Sequence, residues 1–481
     1  MQETYLEVNL DKIRNNILKI KNLSKESKFC AVVKANAYGL GADVICKDIE
    51  DIVDYYAVAR LSEGMLLRRT GIKKPILILG YVGLDDIKIC SENNIDISVY
   101  DLALAQKIDK LGYNLKGHLV LDTGHGRIGF RQDEIDEIKE VKKLENIEII
   151  SAFSHFSTAD EDDNSFTFEQ EKIFDEIINK IKEYFNFKFI HLANSAATIR
   201  QKIFKGMNRV GISLYGLYPS EVVKNDTKIK LEKTFNLYTY VHFIKDIKKN
   251  TPISYGRTFI SDKNMKVASI AIGYADGYNR AFSNRGVVYI NNKACRVLGR
   301  VCMDQMMVDV TGVDVSIGDK VEIYRDIDKD AELIGTISYE LMTNISMRVK
   351  RVYIKKGNVI NCRDYLGEIN ESQNIEYKES WGRGFKKIAE EFERASLPLP
   401  TIEENGGGVM AIIQRKTIDE VIAERGGDVG VNVGDMSKTN VGDFENDRKR
   451  FGGNAKAGII RHEGKDNAGV WVILEHGNTN S

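Results

Sequence analysis

The sequence predicts an α/β protein: an N-terminal (β/α)8 TIM-like barrel, then a mainly β domain and a poorly ordered C-terminal extension. Three observations support this. Up to about residue 218, eight short apolar runs alternate with amphipathic stretches, and eight strand–helix units close a barrel. Strand-like runs without long helical interludes continue to residue 366. Beyond it the chain is rich in Gly, Asn and Asp and lacks a sustained period.

The predicted barrel strands are short, apolar and bounded by Gly, Asn, Asp or Ser, which is typical of strands buried on both faces of a parallel sheet. In chain order they are Phe29–Val33, Tyr56–Ala59, Ile76–Leu79, Asp96–Val99, His118–Leu121, Ile147–Phe153, Phe189–Leu192 and Arg209–Leu214. Crossover helices are predicted between them, for example over 102–112 and 168–184. An open, doubly wound sheet is the alternative, and the near-regular repeat favours closure.

We therefore predict three domains. Residues 1–224 form the barrel, with residues 1–8 available to pair with the second domain. Residues 225–366 form the β domain, because hairpin-like runs there are separated by Gly, Asn and Asp turns. Residues 367–481 form the extension, which holds 17 of the 40 glycines and both tryptophans.

Composition excludes several classes of protein. The 481 residues carry 69 Lys+Arg and 70 Asp+Glu, and a net charge of -1 argues against a dedicated nucleic-acid or membrane-surface binder. No apolar run approaches the ~20 residues of a membrane span, and the N-terminus lacks an apolar signal core, so we expect a cytoplasmic protein. The six cysteines are scattered without a CxxC pair, so neither a disulfide framework nor a metal site is predicted.

Candidate functional residues follow the carboxyl ends of several predicted strands, where (β/α)8 barrels carry their chemistry, and Arg209 opens the eighth strand with Gly211 close after it. The candidates are Lys34, Arg127, His155, Asn194, Ser195, Arg209 and Gly211. Lys34 directly follows an apolar strand, and lost hydration there lowers the pKa of an amine and makes it a candidate nucleophile. The alternative is a lysine that extends from the strand end into solvent.

The other candidates suit a phosphate or a carboxylate, although each also has an ordinary structural role. Ser195 begins a helix pattern whose free N–H groups favour phosphate, or it is only an N-cap. Gly211 allows close backbone approach, or marks a bulge. Arg209 and Arg127 are fixed cations, or partners in salt bridges. His155 contacts a cofactor, or is a core histidine.

The β domain contributes two further candidates. Tyr255 lies in PISYGRTF between a Pro-bearing turn and a Gly, where it acts as an acid or base or is a buried aromatic. The run CMDQMM, residues 302–307, places Asp304 and Gln305 among apolar residues, as a functional feature or as a turn.

Together these segments resemble the alanine racemase family, the fold-type III pyridoxal-phosphate (PLP) enzymes, over roughly residues 3–366. The matching motifs, in the order of the family, are AVVKANAYGLG, DTGHGRIGF, SHFSTAD, NSAAT, NRVGISLYGLYP, SYGRTF, AIGYADGY and GRVCMDQMMVDV. One such motif is weak, but eight in order are specific.

The resemblance implies a role for each matched residue. Lys34 binds PLP covalently and is one catalytic base, while Tyr255 of the other subunit of a homodimer is the opposite base. The cofactor-binding residues are Lys34, Tyr38, His155, Asn194, Ser195, Arg209, Gly211 and Ile212, of which Tyr38, Ser195, Gly211 and Ile212 hold the phosphate. Arg209 faces the pyridine nitrogen and His155 supports it. The substrate-binding residues are Arg127, Met303, Asp304 and Tyr274.

The implied activity is PLP-dependent interconversion of L-alanine and D-alanine by two bases, which in a bacterium supplies D-alanine for peptidoglycan. Three alternatives remain open: a racemase for Ser or Lys on the same scaffold, a non-catalytic PLP-binding protein and a PLP decarboxylase. The segment around Tyr255 argues against the last two.

The chain also departs from the family. Val120 stands where many members carry a carbamylated Lys, so something else must orient Arg127. His125 stands where Met is common, and Met347 where some members have a Tyr that helps to position the opposite base. In the extension, residues 375–381 and 381–413 resemble fragments of bacterial regulators with Schlafen AlbA-type and histidine-kinase-like ATPase segments. These fragments share Trp381, so we expect no intact nucleotide site.

Overall fold

A computed structural model of the chain describes residues 3–362 and 365, together with the backbone of 401–405, 408–412, 458–461 and 471–474. The chain divides into two compact units, Met1–Ile369 and Asn370–Ser481. The predictions for 375–381, for Trp381 and for most of 381–413 lie outside the described residues. Of the described helices, none is long and apolar enough to cross a membrane.

Eight parallel strands form the barrel. They follow the N-terminal strand β1 (Tyr5–Asn9) and are β2 (Lys28–Val32), β3 (Tyr55–Val58), β4 (Ile76–Ile78), β5 (Ile95–Val99), β6 (Leu115–Val120), β7 (Ile147–Phe153), β8 (Phe189–His191) and β9 (Met207–Val210). Because β2 pairs with both β3 and β9, the first and last barrel strands are neighbours. The backbone N–H of Arg209 in β9 donates to Ala193 O, just after β8, at 3.0 Å. The barrel prediction is therefore confirmed.

The predicted strands agree with the structure to within three residues at either end, except the last. There the prediction of a strand over Arg209–Leu214 was wrong in its second half. The backbone turns at Gly211 (φ -117°, ψ -93°), and Ile212–Tyr215 form a 3-10 helix. Apolar composition alone does not distinguish a buried strand from a buried helical turn.

Helices surround the barrel strands as predicted for alternating units. They are α1 (Leu10–Lys21), α2 (Lys34–Tyr38), α3 (Ala42–Ile49), α4 (Leu61–Arg69), α5 (Ile87–Glu92), α6 (Leu102–Asp109), α7 (Ile135–Val141), α8 (Ser165–Ile181) and α9 (Glu221–Asp226). Helix α8 buries a stripe that includes Phe174, Ile177 and Ile181 against the barrel, as its apolar spacing predicts. This ring of helices covers the outer face of the sheet and leaves the carboxyl ends of its strands for the site.

The second domain is mainly β. Its strands are β10 (Phe235–Ile247), β11 (Pro252–Ile253), β12 (Phe259–Ile260), β13 (Met265–Ile270), β14 (Val287–Ile290), β15 (Lys293–Leu298), β16 (Met306–Asp309), β17 (Lys320–Ile323), β18 (Lys350–Lys355) and β19 (Asn358–Val359). Strand β1 lies between β10 and β18, so the chain begins in this sheet before it enters the barrel. The sequence did not predict α10 (Ile327–Ile334), which Asp326 caps and Gly335 ends, or α11 (Ser338–Thr343).

In the second unit, the described backbone forms a four-stranded sheet. Its strands are β20 (Thr401–Asn405), β21 (Gly408–Ile412), β22 (Gly458–Arg461) and β23 (Trp471–Leu474), in the spatial order β20-β21-β23-β22. Strands β20 and β21 pair as an antiparallel hairpin, from Thr401↔Ile412 to Asn405↔Gly408. The predicted limits at residues 224 and 366 stay predictions.

Candidate active site

Lys34 lies at the carboxyl end of β2 and begins an unusual helical turn. The four residues after it, Ala35 to Tyr38, have φ between 51° and 55°, the left-handed region. Side chains other than glycine disfavour this region by about 1–2 kcal/mol per residue, so surrounding contacts must impose the turn. Burial, then the nearby charge of Arg127, lowers the pKa of Lys34, while Glu63 opposes that change. Lys34 is thus a partly desolvated amine at the end of the barrel where chemistry is expected.

Glu63 of α4 is a contact that the sequence did not predict. Its Oε1 accepts the backbone N–H of Ala35 at 2.7 Å, and its Oε2 accepts that of Ala59 at 2.7 Å. One carboxylate therefore joins the ends of β2 and β3 beside Lys34. At the far end of the turn, Nε and Nη2 of Arg351 donate to Gly39 O at 3.0 and 2.8 Å.

Four residues predicted to hold a phosphate come together at one place. Ser195 Oγ accepts the backbone N–H of Gly211 at 3.0 Å, and an added Cβ at Gly211 would lie 2.4 Å from Tyr38 Oη. Ile212 follows at the start of its 3-10 helix. The Tyr38 ring packs against Tyr215 with centroids 5.2 Å apart, which fixes the direction of its hydroxyl. The hydroxyls of Ser195 and Tyr38 thus both lie beside the backbone of Gly211, and both can donate a hydrogen bond.

Arg209 and His155 lie beside this group on the inner side of the barrel. Nη2 of Arg209 donates to Ser154 O at 2.7 Å and to Nδ1 of His155 at 3.3 Å. Burial lowers the pKa of Arg209 to about 10, so it remains a cation at neutral pH. Burial, then the charges of Arg209 and Arg127, lowers the pKa of His155 well below its usual range, so that ring is neutral.

Arg127 is exposed, yet its charge lowers the pKa of Lys34, His155 and Arg209. Lys34, Arg127 and Arg209 therefore bring three cationic side chains to this end of the barrel, which favours a ligand with several negative charges. Val120, at the position of the carbamylated Lys in many family members, is buried and its carbonyl accepts the N–H of Phe130. The ring of His125 lies 5.5 Å from that of His155.

Asn194 contributes to the site indirectly. Its Oδ1 accepts the backbone N–H of Ala197 at 3.0 Å, and its carbonyl accepts the hydroxyl of Thr198 at 2.7 Å. Asn194 thus caps the helical segment that Ser195 begins. This leaves Ser195 Oγ to face Gly211, so the N-cap role considered for Ser195 is filled by its neighbour.

The remaining candidates form a second group on the β domain. The backbone N–H of Tyr274 donates to Cys302 O at 3.0 Å, next to Met303. Asp304 accepts a hydrogen bond from Nη2 of Arg348 at 2.9 Å. The Tyr255 side chain is 69% exposed.

These side chains point away from the β-domain core, and Met303 (52%) and Met347 (72%) are exposed on the same domain. The barrel residues near Lys34 and the exposed β-domain residues approach each other where Nδ2 of Asn36 lies 3.5 Å from Sδ of Met347. Among the described residues, no group of three or more His, Cys, Asp or Glu is placed to hold a metal ion.

Comparison with protein families gives two matches that together span most of the first unit. Residues 8–219 match the family described as alanine racemase, N-terminal domain. Residues 234–353 match the alanine racemase, C-terminal domain. The first contains the barrel with Lys34 and Arg209, and the second contains Tyr255 and Met303.

Individual relatives agree. An alanine racemase of Clostridium perfringens is 39% identical over 76% of this chain and 99% of its own length, and one of Clostridium novyi is 40% identical with the same coverage. Among solved structures, alanine racemase of Clostridium difficile 630 has a TM-score of 0.71 at 37% identity, over 75% of this chain and 98% of that chain. Alanine racemase of Bacillus anthracis with bound L-Ala-P has a TM-score of 0.72 at 37% identity, over 75% of this chain and 97% of its own.

Proposed function

The chain belongs to the alanine racemase family, and from this premise we propose that it interconverts L-alanine and D-alanine with pyridoxal 5'-phosphate as its cofactor. The observation that carries the proposal is the partly desolvated amine of Lys34 at the carboxyl end of the barrel strands, at the same end as the hydroxyl of Ser195 that contacts Gly211. A racemase must remove the Cα proton from one face of its substrate and return a proton to the other, which takes two groups on opposite sides.

The side chains present fit this cofactor. Glycine at 211 lets the Tyr38 hydroxyl lie close to the backbone that bonds Ser195 Oγ, so the hydroxyls of Tyr38 and Ser195 are proposed to hold the phosphate together. Arg209 supplies a cation on the inner side, where the ring nitrogen of the cofactor would face it. When bound, pyridoxal phosphate withdraws electrons from the Cα of an attached amino acid and makes its proton removable.

Lys34 is proposed as the cofactor-binding residue and as the base on one face. Its lowered pKa increases the fraction of free amine near neutral pH, which both roles require. Arg127 is proposed to bind the substrate carboxylate, because a guanidinium matches a carboxylate in shape and charge. Its exposed position beside Lys34 leaves it accessible to a substrate.

Tyr255 is proposed as the base on the other face, supplied by a second copy of the chain in a homodimer. An exposed tyrosine beside exposed methionines is an apolar surface of the kind that a partner covers. Met303, Asp304 and Tyr274 lie on the same surface and would reach the partner's substrate together. Cytoplasmic production of D-alanine for peptidoglycan is the role we propose in the cell.

The test is an assay of the purified protein loaded with pyridoxal phosphate, in both directions, with alanine, serine and lysine. We expect alanine to have the highest kcat/KM. Because L-alanine and D-alanine are equally stable, the equilibrium constant is one, and kcat/KM should be the same in both directions. Lys34→Ala should lose both the activity and the visible absorbance of lysine-bound cofactor. A higher kcat/KM for serine or lysine would assign the other racemase activity, and absorbance without turnover would favour a cofactor-binding protein.

A further inference from the structure

Five hydrogen-bonding side chains form a continuous chain through the barrel interior, which begins at Arg209 of the candidate site and leads away from that site. Nη1 of Arg209 lies 2.8 Å from Nδ1 of His191, and Nε2 of His191 lies 3.0 Å from Nδ1 of His118. Nε2 of His118 lies 3.4 Å from Oδ2 of Asp96, which also accepts the hydroxyl proton of Tyr55. Strands β9, β8, β6, β5 and β3 contribute one residue each.

The direction of these hydrogen bonds follows from the chemistry of the two ends. A guanidinium has only donors, so Nδ1 of His191 must accept from Arg209. A neutral His191 then carries its proton on Nε2 and donates it to Nδ1 of His118. His118 in turn carries its proton on Nε2 and donates to the carboxylate of Asp96. Every proton in the chain therefore points from Arg209 toward Asp96.

The residues around these side chains strengthen the hydrogen bonds between them. Burial lowers the pKa of His191 well below its usual range, and the charge of Arg209 adds to this effect, so the ring is neutral. The Phe153 ring stacks on His191 with centroids 4.7 Å apart, and the guanidinium of Arg209 lies 5.2 Å from the Phe153 centroid. Among such apolar rings, a polar group that loses its hydrogen-bond partner costs more free energy than it would in water.

We propose that Asp96 is a positioning residue for the reaction: its oxygen fixes both histidine tautomers, its charge is the distant counter-ion of Arg209, and both effects are needed to hold Arg209 against the cofactor ring. This rests on the proposed function of Arg209. The carboxylate balances a buried cation through two neutral rings. The cofactor ring would therefore face the cation of Arg209, while the carboxylate of Asp96 that balances this cation lies at the far end of the hydrogen-bonded chain.

Asp96 is remote from the candidate site itself. It is the second residue of β5, at the amino end of the barrel strands, whereas Lys34 follows the carboxyl end of β2. Asp96 lines a cavity of about 600 Å3 together with Asn94 and Lys116 at that opposite end. A substitution at Asp96 therefore removes no side chain that is proposed to contact cofactor or substrate.

The test combines nuclear magnetic resonance with kinetics. Long-range 1H–15N spectra of the 15N-histidine-labelled apoprotein report which ring nitrogen carries the proton, and His118→Gln and His191→Gln assign the two rings. In the unmodified chain we expect both rings neutral and protonated on Nε2. Asp96→Ala should release His118 into a mixture of tautomers. Asp96→Asn keeps an acceptor oxygen without the charge, so it should retain the tautomer and isolate the effect of the charge.

The kinetic expectation is that Asp96→Asn lowers kcat of the loaded enzyme by roughly tenfold, a barrier increase of about 1.4 kcal/mol, while KM changes little. Asp54→Asn is the matched control. The carboxylate of Asp54 also lies at the amino end of the barrel, but it accepts the backbone N–H of Phe29. The kcat of the Asp54→Asn enzyme should therefore equal that of the unmodified enzyme. Nδ1-protonated or charged rings in the unmodified apoprotein would overturn the proposal even if a variant failed to fold. An unchanged kcat in folded Asp96→Asn would also overturn it. Absence of racemase activity in the unmodified chain would instead contradict the proposed function.

Discussion

The carboxylate of Glu63 accepts the backbone N–H of Ala35, the residue after Lys34, at 2.7 Å. Its second oxygen accepts the N–H of Ala59 at the end of the neighbouring strand. Glu63 thus does two things at once. It holds the first residue of the left-handed turn, and it places a negative charge near the Lys34 amine that raises the pKa of that amine against burial.

Replacement of Glu63 should therefore change the chemistry of Lys34. Glu63→Gln keeps an oxygen for Ala35 but removes the charge, so we expect the pKa of Lys34 to fall further. The measurement is the pH dependence of acylation of Lys34 in the apoprotein, followed by mass spectrometry. Glu63→Ala also removes the acceptor for the turn, so it should lower cofactor affinity as well.

Glu92→Gln is the matched control, because Glu92 lies on the exposed face of α5 and pairs with Lys88. An acylation profile of Lys34 that is the same in Glu63→Gln and in Glu92→Gln would mean that Glu63 does not set the basicity of Lys34.

A methyl group at Gly211 should weaken cofactor binding by displacing the Tyr38 hydroxyl. The backbone angles of Gly211 (φ -117°, ψ -93°) lie outside the regions that alanine prefers, and an added Cβ would clash with Tyr38 Oη, so urea unfolding of the apoprotein is measured alongside to show the accompanying loss of stability. Loss of one hydrogen bond to a charged group costs about 1.5–3 kcal/mol, so we expect the dissociation constant of pyridoxal phosphate to rise roughly ten- to hundredfold. Equilibrium titration by absorbance measures it.

Gly83→Ala controls for the loss of a glycine, since its φ is -67° and a Cβ there makes only ordinary contact with Asp86. Equal cofactor affinity in Gly211→Ala and Gly83→Ala would place the phosphate elsewhere in the barrel.

The sequence was informative where a residue's neighbours in the chain decide its structure. The barrel strands are apolar runs with turn residues at their ends, and Lys34 and Ser195 follow such runs directly. Glu63 and Asp96 were missed because their partners are distant in the chain: Ala35 is 28 residues from Glu63, and His118 is 22 from Asp96. The pairing of β2 with β3 and of β5 with β6 brings these residues together.

Local pattern also failed at the turn after Lys34. Nothing in the run KANAY distinguishes a left-handed turn from an ordinary helical start, because alanine favours right-handed helix. The contacts that impose the turn come from Glu63 of α4 and Arg351 of β18. The likeness to a family could transfer residue roles, but it could not supply this geometry.

Removal of the partly desolvated Lys34 amine should stabilise the apoprotein at neutral pH. The pKa of Lys34 is lowered in the folded chain from 10.5, mainly by burial. Between the lowered value and 10.5 the unfolded chain binds a proton that the folded chain does not, so the free energy of unfolding rises with pH across that window. Lys34→Met removes this dependence, so it should be more stable than the unmodified apoprotein at pH 7 and lose that advantage towards pH 10.

Urea unfolding of both apoproteins at the two pH values measures the difference, and Lys107→Met on the exposed face of α6 is the control. A stability difference between Lys34→Met and the unmodified chain that does not shrink as the pH rises would contradict a lowered pKa at Lys34.

Arg351 should be important for stability and for the Lys34 turn. Besides its bonds to Gly39 O, its guanidinium donates to the carbonyls of Ile345, Ser346 and Val349 at 2.6–2.9 Å. Arg351→Met leaves these partly buried carbonyls without a donor, and we expect a loss of about 3 kcal/mol in the free energy of unfolding. Arg131→Met is the control, because the exposed pair of Arg131 with Asp133 should contribute less than about 1 kcal/mol. Equal losses in the two variants would show that the carbonyl cluster does not depend on Arg351.

A site shared between two copies of the chain predicts complementation between inactive variants. Lys34→Ala removes the barrel amine, and Tyr255→Phe removes the hydroxyl of an exposed β-domain tyrosine. If Tyr255 serves the partner's Lys34, a mixed dimer of the two variants contains one site with both lesions and one with neither. Random exchange of a 1:1 mixture makes half of the dimers mixed, so about a quarter of the normal activity should return.

The same experiment separates a shared site from one built within a single chain. With Lys34 and Tyr255 of one chain acting together, every site in the mixture carries one lesion, so activity would stay at the level of the parent variants. Subunits are exchanged at low protein concentration and reconcentrated with pyridoxal phosphate before the assay. A mixture of Lys34→Ala with Lys34→Met is the control for exchange itself, since no pairing of these two chains contains an intact amine. Recovery in the first mixture and none in the control therefore requires that the phenol and the amine of a working site come from different chains.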